Sequence, residues 1–457
     1  MIDPTSYDKF LHAKERRAHR YGIEVPAASI HPYLFPFQRA IVSWALGLGR
    51  AAIFANTGLG KTLMQLEWLR HIGKRTIILA PLAVSTQTAR EALKIALEAR
   101  VCRDDSDVRD GVNITNYERI EKFDLSRFDA VVLDESSILK SFSGKMRALL
   151  TEQCEGIQYR LACTATPSPN DTMELGNHAE FLGVMRAAEM LATYFTHDGG
   201  ETQKWRLKGH AQKEFWRWVA SWAAMAQHPS DLGFDDAGYD LPELRMHEHI
   251  VTAEAADDQE SLFALPALGL LETRRARKQS INERVLTAAQ LVREEPGTWL
   301  IWCELNAEAD ALQNALPDAL EIRGSDSSDD KERGMLAFAD GIEPVLISKA
   351  SICGFGMNFQ RCHKMIFVGV SYSWESLYQA IRRCYRFGQT QAVDVHLILS
   401  EPEQPVLESL KRKERDARAM QTAMVAAAME GFAARRLRMP YKQVQVETPS
   451  WLRPEGD

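Results

Sequence analysis

The sequence lacks the signatures of several large protein classes. Nowhere in its 457 residues is there a run of roughly 20 uninterrupted apolar residues, the length a membrane-spanning helix needs. No membrane role is expected. The opening Met1-Ile2-Asp3-Pro4-Thr5-Ser6 has neither the cationic start nor the apolar core of a secretory signal, and none is expected. Cysteine is sparse: seven residues, odd in number, scattered from 102 to 384 and never spaced Cys-x-x-Cys. That pattern argues against a disulfide framework or a zinc site and for reduced, structural thiols in a cytoplasmic protein. Internal repeats and low-complexity tracts are also missing.

An excess of positive charge is absent too: 55 Lys and Arg against 62 Asp and Glu leave a net charge of −7. This excludes little, because a phosphate backbone responds to local basic surface rather than to the sum. The candidate surfaces are the basic clusters at 14–20, 274–278 and 411–415, each of which also reads as a solvated helix face. What is present is ordinary for a globular chain of two or three domains, with 45% hydrophobic and 26% charged residues.

From about residue 35 to 170, short apolar runs alternate with helical stretches. Strands are predicted at 50–55, 75–80, 112–115, 130–134 and 159–164, with helices at 62–71 and 85–97. A second series has strands at 299–303, 320–323, 344–348, 364–369 and 393–399, and helices at 306–316, 329–339 and 374–384. Continuous apolar strands separated by helices indicate parallel sheets covered on both faces. The stretch 181–245 breaks this pattern. It is rich in Trp (205, 216, 218, 222) and is read as helical, with its aromatic cluster either a buried core or a base-stacking platform. The segment 403–438 reads as a basic, Ala-rich helix.

The chemistry begins at Ala55-Asn56-Thr57-Gly58-Leu59-Gly60-Lys61-Thr62, between a predicted strand and a predicted helix. Gly58 and Gly60 let backbone N–H groups turn inward around phosphate oxygens. Lys61 can bridge the outer phosphates of a nucleoside triphosphate, the Thr62 hydroxyl can ligate Mg²⁺, and the helix N-terminus favours an anion. Downstream, Asp134-Glu135 closes an apolar strand, where ligands gather in open parallel sheets. One carboxylate, Asp134, suits the metal; the other, Glu135, suits orienting and deprotonating an attacking water. Thr164-Ala165-Thr166-Pro167 ends the next strand and could relay hydrogen bonds toward a second domain. There, Arg383 and Arg386, three apart on one face of a predicted helix, could stabilise charge on the transferring phosphoryl group.

With these elements in view, residues 34 to about 400 resemble helicase superfamily 2, and within it the Snf2-like family of DNA-dependent ATPases. Leu34-Phe35-Pro36-Phe37-Gln38 resembles the family's opening element, whose glutamine, here Gln38, reads adenine. Residues 57–62 match motif I, Ala80-Pro81-Leu82 motif Ia, Ile114 to Tyr117 motif Ib, Asp134 to Ser137 motif II and Thr164 to Pro167 motif III. Trp299 to Trp302 resembles motif IV, and Ser348 with Gly354-Phe355-Gly356-Met357-Asn358-Phe359 motif V. Gln379, Arg383, Arg386, Gly388 and Gln389 match motif VI, where the resemblance makes Arg383 and Arg386 the arginine fingers and Gln379 their companion. Two departures stand out: Ser136-Ser137 ends motif II, and Arg382 occupies a usually acidic position. His247-Glu248-His249 is read as a strand edge rather than a metal site.

The expected fold is therefore α/β: two tandem RecA-like parallel-sheet lobes, with a helical insertion on the first and a C-terminal helical segment. The divisions expected are an N-terminal helical extension (1–33), lobe 1 (34–180), the insertion (181–245), a linker (246–284), lobe 2 (285–402) and a helical brace with tail (403–457). The expected function is an ATP- and Mg²⁺-dependent motor stimulated by DNA, duplex more than single-stranded, with RNA less favoured. It would act in a bacterial or phage-infected cytoplasm, without a membrane. The alternatives are a strand-separating DNA or RNA helicase, or an ATP-gated switch that remodels a protein complex.

Overall fold

Apolar residues at successive strand positions bury both faces of a sheet, because neighbouring side chains point to opposite sides. In β1 (Arg50–Ala55), Ala52 and Phe54 enter one core while Ala51, Ile53 and Ala55 enter the other. The same division holds in β2 (Arg75–Ala80) and β5 (Ala130–Asp134). The computed structural model describes residues 20–81, 84–141, 144–168, 171–197, 205–237, 239, 241–252, 277–354 and 357–436. Expectations falling on 1–19, most of the linker (253–276), Gly356 and 437–457 lie outside these described residues.

The first sheet adds β3 (Ala99–Val101), β4 (Gly111–Asn116), β6 (Tyr159–Cys163) and, beyond the hairpin β7 (Phe195–His197) and β8 (Trp205–Leu207), β9 (Ala223–Ala226). Its order is β3-β4-β2-β5-β6-β1-β9, every pairing parallel. The second comprises β10 (Leu244–Val251), β11 (Trp299–Cys303), β12 (Leu320–Ile322), β13 (Val345–Lys349), β14 (Lys364–Val368) and β15 (Val393–Ser400). Its order is β10-β15-β14-β11-β13-β12, again wholly parallel. Two tandem RecA-like lobes are thus present.

Three readings need correction. The stretch 181–245 is not wholly helical: alongside helices Ala187–Tyr194 and Gln212–Ala220 it holds the hairpin and β9. A four-residue apolar run such as Ala223–Ala226 carries no period by which strand and buried helix can be told apart. Its tryptophans 216, 218 and 222 are buried in the first lobe's core, as their spacing favours over a base-stacking platform. The segment starting at 246 is not simply linker, since β10 completes the second sheet with His247 and His249 on an edge strand. Within 1–33, the only helical element among the described residues is the 3₁₀ turn Ala27–Ser29. Before it, the N–H groups of Tyr21 and Ile23 donate to the carbonyls of Leu48 and Leu46, which holds the chain against a helix end. A Cβ at Gly22 would sit 1.8 Å from the Leu46 carbonyl oxygen.

One helix joins the lobes. Gln404–Arg436 buries Val406, Leu407 and Leu410 in the second lobe's core, and Met424 in the first lobe's. At 1.5 Å per residue these anchors lie about 27 Å apart along the axis. Gln227 Nε2 donates to Gln421 Oε1 at 2.8 Å where the helix meets the first lobe. No helix among the described residues is long and apolar enough to cross a membrane.

Candidate active site

Strands β5, β6 and β1 are consecutive neighbours in the first sheet, so their carboxyl ends bring Asp134, Thr164 and the loop after Ala55 to one edge. The helix Lys61–Ile72 starts directly from that loop, with Gly60 (φ +78°) in the left-handed region. Two glycines there have no substitute. A Cβ on Gly60 would meet Gln38 Nε2 at 2.3 Å, and one on Gly58 (φ +95°) would meet the Phe387 backbone nitrogen at 2.8 Å. Gln38 is buried; its Oε1 accepts from Phe35 N–H at 2.9 Å and its Nε2 donates to the Leu59 carbonyl at 2.8 Å. Lys61 Nζ donates to the Ala55 carbonyl at 2.9 Å. Burial lowers the Lys61 pKa, while the carboxylates of Glu135 and Asp134 hold it up.

Asp134 is buried, and desolvation raises its pKa against the bond that Gln65 Nε2 donates to Oδ1 at 2.7 Å. Tyr117 donates its hydroxyl to the Asp134 carbonyl at 2.8 Å, which fixes the strand end. The next residue, Glu135, has φ +58°, a left-handed conformation uncommon outside glycine and a mark of local strain. Its Oε1 accepts from the Ser137 hydroxyl at 2.9 Å and the Thr164 hydroxyl at 2.5 Å. Ser136 turns the other way. Its N–H donates to the Cys163 carbonyl and its hydroxyl lies 3.1 Å from His178 Nε2. Burial pushes His178 down to about 4, so this imidazole is neutral near pH 7. The serines thus divide the coupling: Ser137 holds the acid, and Ser136 anchors the turn to the core.

From Glu135 a line of hydrogen bonds crosses to the second lobe. Thr166 N–H donates to Thr164 Oγ1 at 3.0 Å, and Thr166 Oγ1 receives Gln379 Nε2 at 3.3 Å. Gln379 Oε1 in turn receives Arg383 Nη2 at 3.0 Å, while Arg383 Nε donates to the Gln379 carbonyl at 2.9 Å. Burial and the neighbouring Arg386 pull Arg383 down to about 10, with Glu135 opposing them; it remains a cation near pH 7. Arg386 is half-buried and lines the same cavity. The helix predicted at 374–384 stops at Ile381, which corrects the single-face reading of the arginines. Gln389 Nε2 donates to the carbonyls of Gln360, Cys362 and Cys384, and that draws the chain out of the helix into turns.

The cavity between the lobes measures about 590 Å³, within the range of small-molecule sites, and is lined by Gln38, Lys61, Asp134, Glu135, Arg383 and Arg386. Thr57, Gly58, Gly60 and Thr62 also border it. Ala55 and Leu59 contribute carbonyls to the Lys61 and Gln38 bonds, and Asn56 faces the second lobe. At the rim Phe35 and Phe387 pack on Tyr239, with ring centroids 5.3 and 4.7 Å away. Sequence reasoning missed Gln65, His178, Tyr239 and Tyr378, and named Tyr117 only as the end of motif Ib. Only Gln65 carried a signal, standing one helical turn after Lys61 on the face toward the sheet.

Residues 282–388 match the model of the helicase conserved C-terminal domain, a span that holds β11 to β14 and both arginines. The chain is also 30% identical to a putative protein p41 of Acyrthosiphon pisum secondary endosymbiont phage 1. That alignment of 177 residues covers 32% of this chain and 38% of the phage protein, so well under half of the relative's length is matched.

Proposed function

We propose that this chain, a member of helicase superfamily 2 by its matched C-terminal domain, hydrolyses ATP to move along DNA. The observation that carries the reading is the line of hydrogen bonds from Glu135 through Thr164, Thr166 and Gln379 to Arg383, which joins an acid on one lobe to a cation on the other. Such a line makes the geometry of the acid depend on the placement of the arginine, and so ties hydrolysis to closure of the lobes.

The backbone N–H groups of the loop from Asn56 to Lys61, with the Lys61 ammonium, bind the phosphates. Gln38 has already spent one N–H on Leu59 and one lone pair on Phe35. One donor and one acceptor remain, the pair that suits the N6/N7 edge of adenine. Thr62 and Asp134, which both line the cavity, would hold a hard divalent cation, an oxygen donor pair of the kind such an ion prefers. Mg²⁺ bound there supplies charge neutralisation of the triphosphate. Glu135, steadied by Ser137 and Thr164, orients and deprotonates the attacking water. Arg383 and Arg386 bind the charge that grows on the departing phosphates. Gly356 belongs with this set only through its resemblance to motif V.

The Snf2-like placement rests on the Arg386-Phe387-Gly388-Gln389 ending, and with it comes duplex DNA as the favoured track. ATP turnover measured with duplex, single-stranded and forked DNA and with RNA tests the reading. Duplex DNA is expected to stimulate most, and Lys61→Ala and Glu135→Gln to abolish turnover while leaving circular dichroism unchanged. Turnover surviving both substitutions would remove the site assignment, and turnover indifferent to every nucleic acid would favour a protein-remodelling switch.

A further inference from the structure

Arg382 is buried, yet among the described residues it forms no ion pair with a carboxylate, and its Nε has no hydrogen-bond partner. Its Nη2 instead reaches across the cleft to Asn56 Oδ1 at 2.5 Å, while Nη1 donates to the Tyr385 carbonyl at 3.1 Å. Tyr378, one helical turn earlier, donates its hydroxyl to the same Asn56 oxygen at 2.6 Å. The third bond to that oxygen comes from Thr57 N–H at 2.8 Å, within the phosphate loop itself. The guanidinium carbon also lies 5.5 and 5.4 Å from the ring centroids of Tyr378 and Tyr385, so it is held between two π faces.

We propose that Asn56 is a docking post for the second lobe, and that Tyr378 and Arg382 are positioning residues that set where Arg383 stands. Two donors one turn apart that converge on a single oxygen fix both the rotation and the translation of the helix end bearing them. Gln379 and Arg383, each next in sequence to a clasping residue, are carried into register with Thr166 by that fixation. Phe387 adds a second stop, its backbone seated over Gly58. The choice of a carboxamide matters. A neutral oxygen holds the cation by a charge-assisted bond that releases when the lobes part, whereas a carboxylate there would form an ion pair across a cleft that has to open. The arginine at a usually acidic position and the asparagine in the phosphate loop are therefore one device.

The inference rests on the ATPase reading, and a double-mutant cycle on the full chain tests it. Arg382→Ala and Asn56→Ala are each expected to lower kcat about 10- to 100-fold, the range for one charge-assisted hydrogen bond. In Arg382→Ala, which lies outside the phosphate loop, the affinity for a fluorescent ATP analogue should stay within about twofold, and the double variant should be no slower than the slower single one. Tyr378→Phe removes one donor without leaving a cavity, and is expected to give a smaller loss in kcat with KM unchanged. A kcat within twofold of wild type for Arg382→Ala, or losses that multiply in the double variant, would overturn the clasp. Hydrogen exchange separates the two readings: segments 55–61 and 374–386 should exchange faster in Arg382→Ala. That change in a protein that hydrolyses no ATP upholds the clasp and removes the ATPase reading. Normal hydrolysis with unaltered exchange overturns the clasp alone.

Discussion

Thr166→Val is the most discriminating change to the line that crosses the cleft, because it removes a hydroxyl and keeps the volume. Thr166 Oγ1 makes two interlobe bonds, from Gln379 Nε2 and to Glu375 Oε1, both at 3.3 Å. Bonds of that length belong at the weak end of the usual range, about 0.5–1 kcal/mol each. The larger penalty falls on Gln379, whose buried amide N–H loses its partner, a cost of about 1–3 kcal/mol. If half of a total of about 2–5 kcal/mol is felt only in the transition state, the barrier rises by about 1–2.5 kcal/mol, a loss in kcat on the order of tenfold and spanning roughly 5- to 70-fold. Arg383→Ala removes the cation itself and should cost about 10³–10⁵.

Phosphate release at saturating ATP and DNA, read beside KM, checks this. Thr166→Val should fall about tenfold in kcat with KM within about threefold, and Thr166→Ser, which keeps the hydroxyl, should stay near wild type. The reasoning fails if Thr166→Val turns over at the wild-type rate, if it is as inactive as Arg383→Ala, or if Thr166→Ser is equally impaired.

Two further outcomes concern stability. Glu308 is fully buried, pairs with Arg284 at 2.7 Å and accepts the N–H groups of Glu304 and Leu305. Glu308→Ala strands a buried guanidinium and should cost about 3–5 kcal/mol in urea unfolding, with Glu308→Gln costing less because it keeps the caps; equal losses would refute the pair as the cause. His178, held at about 4 against 6.5 for an unperturbed ring, binds fewer protons folded than unfolded between those values. Its contribution is therefore complete above pH 6.5 and is lost as pH falls toward 4, by about 3 kcal/mol. His178→Gln should flatten the acid limb of a urea-midpoint profile by that much, and an unchanged limb would exclude His178 as its source.

What could be read in the sequence is what depends on local period and local chemistry. The strands that end at Ala55, at Asp134 and just before Thr164 are largely apolar, and their alternation with helical stretches is what makes such runs read as a parallel sheet buried on both faces. That fixes the carboxyl edge, and the acids and the glycine loop then meet there without further information. The short pieces escaped for the same reason: Ala223–Ala226 and Ala99–Val101 are too brief to show a period. The end of the 374–381 helix escaped because its cause, Gln389 bonding the nearby Cys384 carbonyl together with those of Gln360 and Cys362, is in large part a tertiary contact. Contacts across the cleft are of this second kind throughout. In the sequence Arg382 stands out only as a departure from its motif and Asn56 only as a member of the phosphate loop, since the meaning of each is the other, more than 300 positions away along the chain. An arginine at a usually acidic position looks like a defect when read within its own motif. Set against the asparagine oxygen it becomes a bond that a motor can make and break, because only one of its two partners is charged.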